Sequence, residues 1–317
     1  MVQPTVDDTT ANVALRPVDV ARRTKHHRRS TRIGWAFSSP AFTIVALVTI
    51  FPIIFSVVLS LANVTVTGNG FQLAGFTFSN YSEIFHAAVW QYALEFTVFY
   101  TVVTVAVEVI LGTLIGLVLE RLTKGRGMMM ALLLIPWSMI TVISAELWQY
   151  IFDGTYGVMQ AIFSALGLGQ PQFLGTPTSA IISMMVADIW KTTPFVAIIV
   201  VAGLVMLPQE VFEAAAVDGA NSWTTFWRVT LPLLRPTIAL AILFRILQAF
   251  GIFDLPFVLT GGGPGTATTS LAVLSYRTMF ENLNYGAGNA IAVSASVLVL
   301  IGCLLFLKVF RAQVSDA

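Results

Sequence analysis

Six long apolar stretches constrain this chain more than anything else in it: about 34–62, 92–120, 129–151, 179–206, 237–259 and 285–310. A bilayer core about 30 Å thick takes roughly 20 apolar residues of helix to cross. Lipid offers no partner to an exposed backbone, so stretches of this length read as helices. Composition agrees. Of the 317 residues 56% are hydrophobic and 10% charged, where a soluble globule carries about a quarter, and mean hydropathy is +0.82. The expected architecture is an all-α membrane protein with six transmembrane helices. The second and third are joined by a short turn, Leu122 to Met128, and no internal repeat of convincing length is present.

Basic residues gather on the cytoplasmic side of membrane proteins, and here their distribution is uneven. Residues 1–32 hold Arg16, Arg22, Arg23, Lys25, Arg28, Arg29 and Arg32. This segment is too long and too basic for the head of a cleaved signal peptide. It is expected to be a flexible cytoplasmic arm touching anionic lipid, with residues 33–317 forming the transmembrane domain. The turn after the second span holds Arg121, Lys124 and Arg126, the loop 207–236 holds Arg228 and Arg235, and the tail holds Lys308 and Arg311. Segments 63–91 and 152–178 have neither Lys nor Arg, and 260–284 has Arg277 alone. With both termini inside, 14 of the 17 basic residues are cytoplasmic. The outer segments carry turn residues at Gly68-Asn69-Gly70, Gly167-Leu168-Gly169 and Gly261-Gly262-Gly263-Pro264-Gly265. Val158–Leu166 has the length of a short interfacial helix. Trp35, Trp90 and Trp148, near span ends, are expected to be interface anchors.

Several chemistries are excluded or unsupported. One cysteine, Cys303, permits neither an internal disulfide framework nor a cysteine-built metal site, and reads as a small apolar residue in a span. His26, His27 and His86 have no ligand spacing, so no metal site is expected. No Ser/His/Asp or Cys/His set suggests catalysis. A G-x-x-x-x-G-K-[ST] phosphate loop is missing, since Gly261–Thr269 has the glycines without the lysine. The chain is therefore expected to be no enzyme and to bind no cofactor. A formal net charge of +1 gives no sign of a nucleic-acid partner.

One polar segment stands out between apolar spans: Glu213 to Pro232, EAAAVDGANSWTTFWRVTLP. Pro208-Gln209-Glu210 reads as a helix start with Glu210 and Glu213 near the positive end of the dipole. Ala214, Ala215 and Ala216 give a face without bulk that another protein can approach closely. Asp218-Gly219 ends that helix. Asn221 or Ser222 caps a second short helix with Trp223, Phe226 and Trp227, expected to stop before Pro232. On physics alone, an ordinary amphipathic surface helix is the alternative reading.

Charged residues inside apolar stretches are the other signal: Glu95, Glu108, Glu146, Asp188, Lys191, Arg245 and Asp254. A charge at the bilayer centre costs roughly 2.5–3.5 kcal/mol on insertion scales, so such groups face a polar cavity or pair together. Asp188 and Lys191 are three apart on one helix face. Arg245, Gln248 and Ile252 form a stripe with Asp254 near its end. Two readings stay open: a solute cavity near mid-membrane, or buried ion pairs that fix helix packing.

Glu213-Ala214-Ala215, three residues, Gly219, nine residues, Val229, one residue and Leu231-Pro232 resemble the EAA loop of bacterial ABC importer permeases, with Val229 where isoleucine is commoner. Asp188–Phe195, Phe253–Pro256 and Leu259–Gly265 resemble the flanking segments of the maltose-type, carbohydrate-importing branch, and the similarity runs from about residue 35 to 310. The resemblance implies a type I importer permease fold with a cytoplasmic coupling helix. It assigns contact with the ATPase to Glu213, Ala214, Ala215, Asp218, Gly219, Leu231 and Pro232. It assigns sugar contact to Asp188, Lys191, Thr192, Phe195, Arg245, Gln248, Ala249, Ile252 and Asp254.

That family pattern also implies partners: a second homologous permease, two ATPase subunits that carry ATP and magnesium, and an extracytoplasmic sugar-binding protein received by outer loops including 260–284. Membrane lipid surrounds the whole, in the cytoplasmic membrane of a bacterium. The cargo class is a carbohydrate, a disaccharide such as trehalose or maltose. The rival function is an ion- or proton-coupled secondary transporter using Glu95, Glu108, Asp188 and Asp254, which explains the buried charges but not the loop.

Overall fold

The computed structural model describes residues 17–67 and 70–315. The chain divides into two units, Met1–Phe55 and Ser56–Ala317. Helix α1, Pro17–Ser60, runs through the boundary and opens on proline, which is preorganised for a first helical turn. The backbone of residues 17–32, expected as a flexible arm, is thus helical, while residues 1–16 of that arm lie outside the described residues. In the first unit the apolar side chains from Phe37 to Phe55 are largely exposed, as suits lipid contact.

In the second unit, strands β1 (Ala62–Thr67) and β2 (Gly70–Phe76) pair antiparallel, with Thr67 opposite Gly70. This hairpin corrects the all-α expectation: Val64, Thr65 and Val66 are β-branched and so favour a strand. Gly68 and Asn69 of the expected turn lie outside the described residues. Helices α2 (Ser79–His86), α3 (Ala88–Arg121), α4 (Arg126–Ser138), α5 (Thr141–Phe152), α6 (Val158–Ala165) and α7 (Pro177–Val205) follow. After them come α8 (Gln209–Val217), α9 (Ser222–Thr225), α10 (Leu231–Phe250), α11 (Asp254–Leu259), α12 (Leu271–Tyr276) and α13 (Tyr285–Ser315). Helix α6 occupies the stretch expected to form a short helix.

Among the described residues five helices are long and apolar enough to cross a membrane: Phe37–Ser60, Ala88–Arg121, Pro177–Val205, Ser222–Phe250 and Tyr285–Phe310. The expected third span, 129–151, is instead two helices, α4 and α5, bent by 89°, and makes a sixth crossing if the pair counts as one. Met139 and Ile140 adopt extended backbone at the break. Pro136, just before it, cannot donate to the preceding turn. The fifth span differs as well. It does not begin near 237 but runs as continuous helix from Ser222, and it stops at Phe250, before Gly251. Pro232 does not end the helix that precedes it. A π-helical turn, Phe226–Thr230, sends the Leu231 N–H back to the Phe226 carbonyl. This widening sets Pro232 in the first turn of the next segment, where a missing N–H is tolerated.

Helices α3, α7 and α10 form the centre of the second unit. Val196, Val200 and Leu204 of α7 form a core with Leu234 and Ala241 of α10, and Val109 and Leu117 of α3 pack against it. Two glycines of α3 make close contact with α7. A methyl added at Gly112 would lie 2.7 Å from Val196 Cβ, and one at Gly116 would lie 2.7 Å from Val200 Cγ1. Small residues four apart let helix backbones approach in this way. Helix α7 starts from a capping box, Thr176 with Ser179, and a proline in its first turn. A second core, Ile84, Trp90, Phe250, Leu271 and Ile291, joins α2, α3, α10, α12 and α13. Trp90 is therefore not an interface anchor: it is 8% exposed and packs edge-on against Phe85 at 4.9 Å. Trp35 is exposed as expected, and Trp148 is half-buried, stacked on Phe152 and edge-on to Trp190.

Replacing Gly112 or Gly116 with valine forces α3 away from α7. Overpacking of this kind costs about 1–3 kcal/mol. The expected outcome is a lower unfolding temperature of the detergent-solubilised protein for either change. Gly302→Ala, where an added methyl meets nothing within 4 Å, leaves it in place.

Candidate functional site

Glu108 on α3, Asp188 and Thr192 on α7, and Arg245 on α10 meet inside the bundle. Arg245 Nε donates to Glu108 Oε2 at 2.5 Å and Nη2 donates to Glu108 Oε1 at 2.8 Å. This is the fork-to-carboxylate geometry that makes arginine pairs strong. Nη2 also reaches Asp188 Oδ2 at 3.3 Å, and Nη1 donates to Gln248 Oε1 at 3.0 Å. Thr192 Oγ1 lies 2.6 Å from both Glu108 Oε1 and the Asp188 carbonyl, so its one proton serves one of them at a time. Tyr100 is fully buried beside this cluster. Arg245 is 2% exposed and Glu108 0%. Breaking a buried pair by removing one partner costs about 3–5 kcal/mol, because a charge is left uncompensated.

The nine expected sugar-site positions fall into two sets. Asp188, Thr192, Arg245 and Ala249 are buried. Lys191, Phe195 and Ile252 are half-buried, and Gln248 and Asp254 are exposed. Asp188 turns its carboxylate to Arg245, and Lys191 makes no ion pair within 4 Å among the described residues. The charges of Asp188, Arg245 and Asp254 nevertheless act on its ammonium. Phe195 stacks on Trp137 with centroids 5.6 Å apart and meets Phe244 edge-on at 6.2 Å, so one face of its ring is already covered. Asp254 is not inside a span: α10 has ended at Phe250, and Asp254 opens the short helix α11. Glu95 and Glu146 are exposed on α3 and α5 and make no ion pair within 4 Å among the described residues. Glu108 is the residue whose partners could not be read from sequence, since they come from helices 80 and more positions away.

The loop after α7 carries the second constellation. Helix α8 has no buried residue. Its end is closed as the sequence suggests: Gly219 sits at φ +76, and the Ala220 N–H returns to the Ala215 carbonyl, the wrap that a left-handed residue permits. Asn221 caps α9, its side-chain oxygen accepting from the Thr224 N–H at 2.8 Å. Glu213, Ala214, Asp218 and Gly219 are exposed, and Ala215, Leu231 and Pro232 half-buried. Beneath the loop a groove of about 570 Å³ is lined by Leu117, Arg121, Leu204, Phe212, Trp223 and Phe226 among others. A smaller pocket, about 360 Å³, lies where α5 ends, between Gln149, Tyr150, Asp153, Tyr156 and Gln172. Asp153 Oδ1 accepts from the Thr155 and Tyr156 backbone N–H groups, which holds its carboxyl below the usual carboxylate range. In the 260–284 segment, Thr260 and Thr268 share a hydroxyl contact of 2.6 Å, and Arg277 donates to the Gly261 carbonyl.

Membrane-length helices around a buried charge cluster, with a wholly unburied helix between two of them, define a transmembrane transport subunit. The chain belongs to the family of binding-protein-dependent transport system inner membrane components, which matches residues 108–315. It is 38% identical over 284 residues to the trehalose/maltose transport system permease protein MalF of Thermococcus litoralis, covering 89% of this chain and 95% of that one. It is 34% identical over 294 residues to the trehalose transport system permease protein SugA of Mycobacterium tuberculosis, covering 92% and 93%. Among solved structures, a bacterial ABC transporter involved in import of the acidic polysaccharide alginate has a chain of the same fold. The TM-score is 0.77 at 22% identity, over 92% of this chain and 99% of that one. A bacterial alginate ABC transporter in complex with an alginate pentasaccharide-bound periplasmic protein gives a TM-score of 0.79 at 21% identity, over 91% and 97%.

The split between buried and open positions predicts reactivity. In a Cys303→Ser background, Lys191→Cys and Gln248→Cys are expected to react with a water-soluble thiol reagent. Ala249→Cys, at a position 1% exposed, is expected to stay unlabelled.

Proposed function

We propose that this chain is the transmembrane permease subunit of an ATP-driven, binding-protein-dependent importer of a carbohydrate, a disaccharide of the trehalose or maltose kind. The observation that carries the reading is helix α8: nine residues between two spans, none of them buried. Only Phe212 and Ala215 are half-buried, so this polar helix between spans leaves most of its surface open to a partner. The carbohydrate class is supported by the trehalose and trehalose/maltose permeases to which the chain is similar along nine-tenths of its length.

On this reading the loop is cytoplasmic and both termini lie on that side, in a bacterial inner membrane crossed six times. Two ATPase subunits grip α8 and supply ATP and magnesium. A second homologous permease completes the pathway. An extracytoplasmic binding protein, as in the alginate transporter complex, delivers cargo to the outer loops. ATPase closure moves the 209–229 segment, and Lys191, Phe195, Gln248, Ile252 and Asp254 face the solute, with Asp188, Thr192, Arg245 and Ala249 behind them. The ion-coupled alternative finds no support among the relatives, and its carboxylates differ in setting: Glu95 and Asp254 are exposed, whereas Glu108 and Asp188 are buried.

Co-expression with the candidate ATPase and second permease tests the reading. Glu213→Ala and Gly219→Val are expected to abolish ATP-dependent uptake while the chain still inserts, since a side chain at φ +76 costs roughly 1–2 kcal/mol and distorts the helix end. Uptake by the isolated chain driven by an ion gradient would refute it.

A further inference from the structure

We propose that Glu108 and Arg245 are a positioning pair that orients the amide of Gln248, so that this site presents N–H donors to its cargo. The proposal rests on the permease reading above and adds a residue, Glu108, and a direction of hydrogen bonding to it.

Three observations carry it. Neither Arg245, 2% exposed, nor Glu108, 0% exposed, offers surface to a solute. Gln248, one helical turn beyond Arg245, is exposed, and its Oε1 accepts from Arg245 Nη1 at 3.0 Å. An arginine has donors and no acceptor, whereas a glutamine amide has both. The contact therefore decides which way the amide turns: oxygen toward Arg245, nitrogen toward open space. Glu108 makes that choice rigid. By taking Nε and Nη2 of the same planar group, it fixes the plane of the guanidinium and hence the direction of Nη1. Asp188, also on Nη2, fixes it from α7. The exposed Nε2 then matches an acceptor oxygen of the cargo, such as a hydroxyl, ring or glycosidic oxygen, and disfavours a group that can only donate.

Charge counting selects the variant. The cluster has one cation and two carboxylates. Arg245→Gln strips the cation from both carboxylates. Glu108→Gln leaves Arg245 balanced by Asp188, so the fold is expected to survive, while the new amide turns an N–H against the guanidinium and loosens it. In the assembled importer, Glu108→Gln is expected to raise KM for uptake about fivefold, the worth of one hydrogen bond of roughly 1 kcal/mol, with the maximal rate retained. In a Gln248→Ala background the same change is expected to add nothing, because its route to the cargo is gone.

An unchanged KM in Glu108→Gln, or an equal rise with and without Gln248, overturns the proposal. Arg245→Lys, which keeps the charge and loses the flat fork, is run through the same cycle and answers the question if Glu108→Gln does not assemble. The wild-type importer is first assayed with a panel of di- and monosaccharides. Transport of none of them counts against the carbohydrate reading alone, and the cycle is then read on the solute that stimulates its ATPase.

Discussion

Arg245 puts a cation into the middle of an apolar bundle, and the three helices at its centre are arranged around it. A lone charge at that depth is held only where other groups replace its water. Glu108 and Asp188 do so from α3 and α7, and Thr192 shares Glu108. Apolar packing alone leaves helices free to slide by a turn at small loss, because one leucine contact resembles the next. A forked guanidinium with a matched carboxylate has one register. The glycine contacts work in the same direction. Gly112 and Gly116 bring α3 onto Val196 and Val200, one to three turns along α7 from Asp188 and Thr192, so steric fit and charge pairing specify the same alignment.

That alignment joins the two constellations. Helix α7 carries Asp188 and Thr192 and ends at Val205, four residues before α8. The helix that carries Arg245 is continuous from Ser222, the first residue of α9. At 1.5 Å per residue, each path from loop to cluster is roughly 25–35 Å of helix. A displacement of α8 and α9 thus has helical levers to the cluster, interrupted by Pro194 on α7 and by Pro236 and the π turn at Phe226–Thr230 on the other path. Wide turns of this type sit where helices bend or work, and this one lies at the root of the lever. Arg245 and helix α8 are separate in sequence and linked by helix.

How much of this was legible depends on the range of the forces involved. The apolar stretches mark their own helices because lipid acts on each segment alone, and the turn at Asp218-Gly219 was readable because glycine carries its own backbone permission. The break at Met139–Ile140 was not, since the two residues in it are apolar, the flanking Ser138 and Thr141 are tolerated inside spans, and hydropathy does not see ψ. Pro232 misled for a related reason. Proline is a stop only if the turn before it is α-helical, and a π turn removes the conflict. Trp90 looked like an anchor by its place near a span end, but α2 and α13 cover it. Glu108 stood out as a buried charge, yet its partner is 137 positions away, and nothing local announces it. Glycines 112 and 116, in an ordinary apolar run, declare their purpose only against Val196 and Val200.

The same cluster bears on what kind of solute this pathway suits. Glu108, Asp188, Arg245 and Lys191 carry two formal negative and two formal positive charges, so these four balance, and the exposed Asp254 leaves the whole set one negative charge. Such a set gives an acidic cargo no reason to gain over a neutral one. What it offers is direction. The Lys191 ammonium and the Gln248 amide present donors, and Asp254, exposed at the start of α11, presents an acceptor. A neutral molecule rich in hydroxyls uses both kinds of group at once, because each hydroxyl donates and accepts. An ion uses one kind and leaves the other desolvated. On the proposed reading, the arginine serves selectivity by holding its neighbours in place rather than by facing the solute.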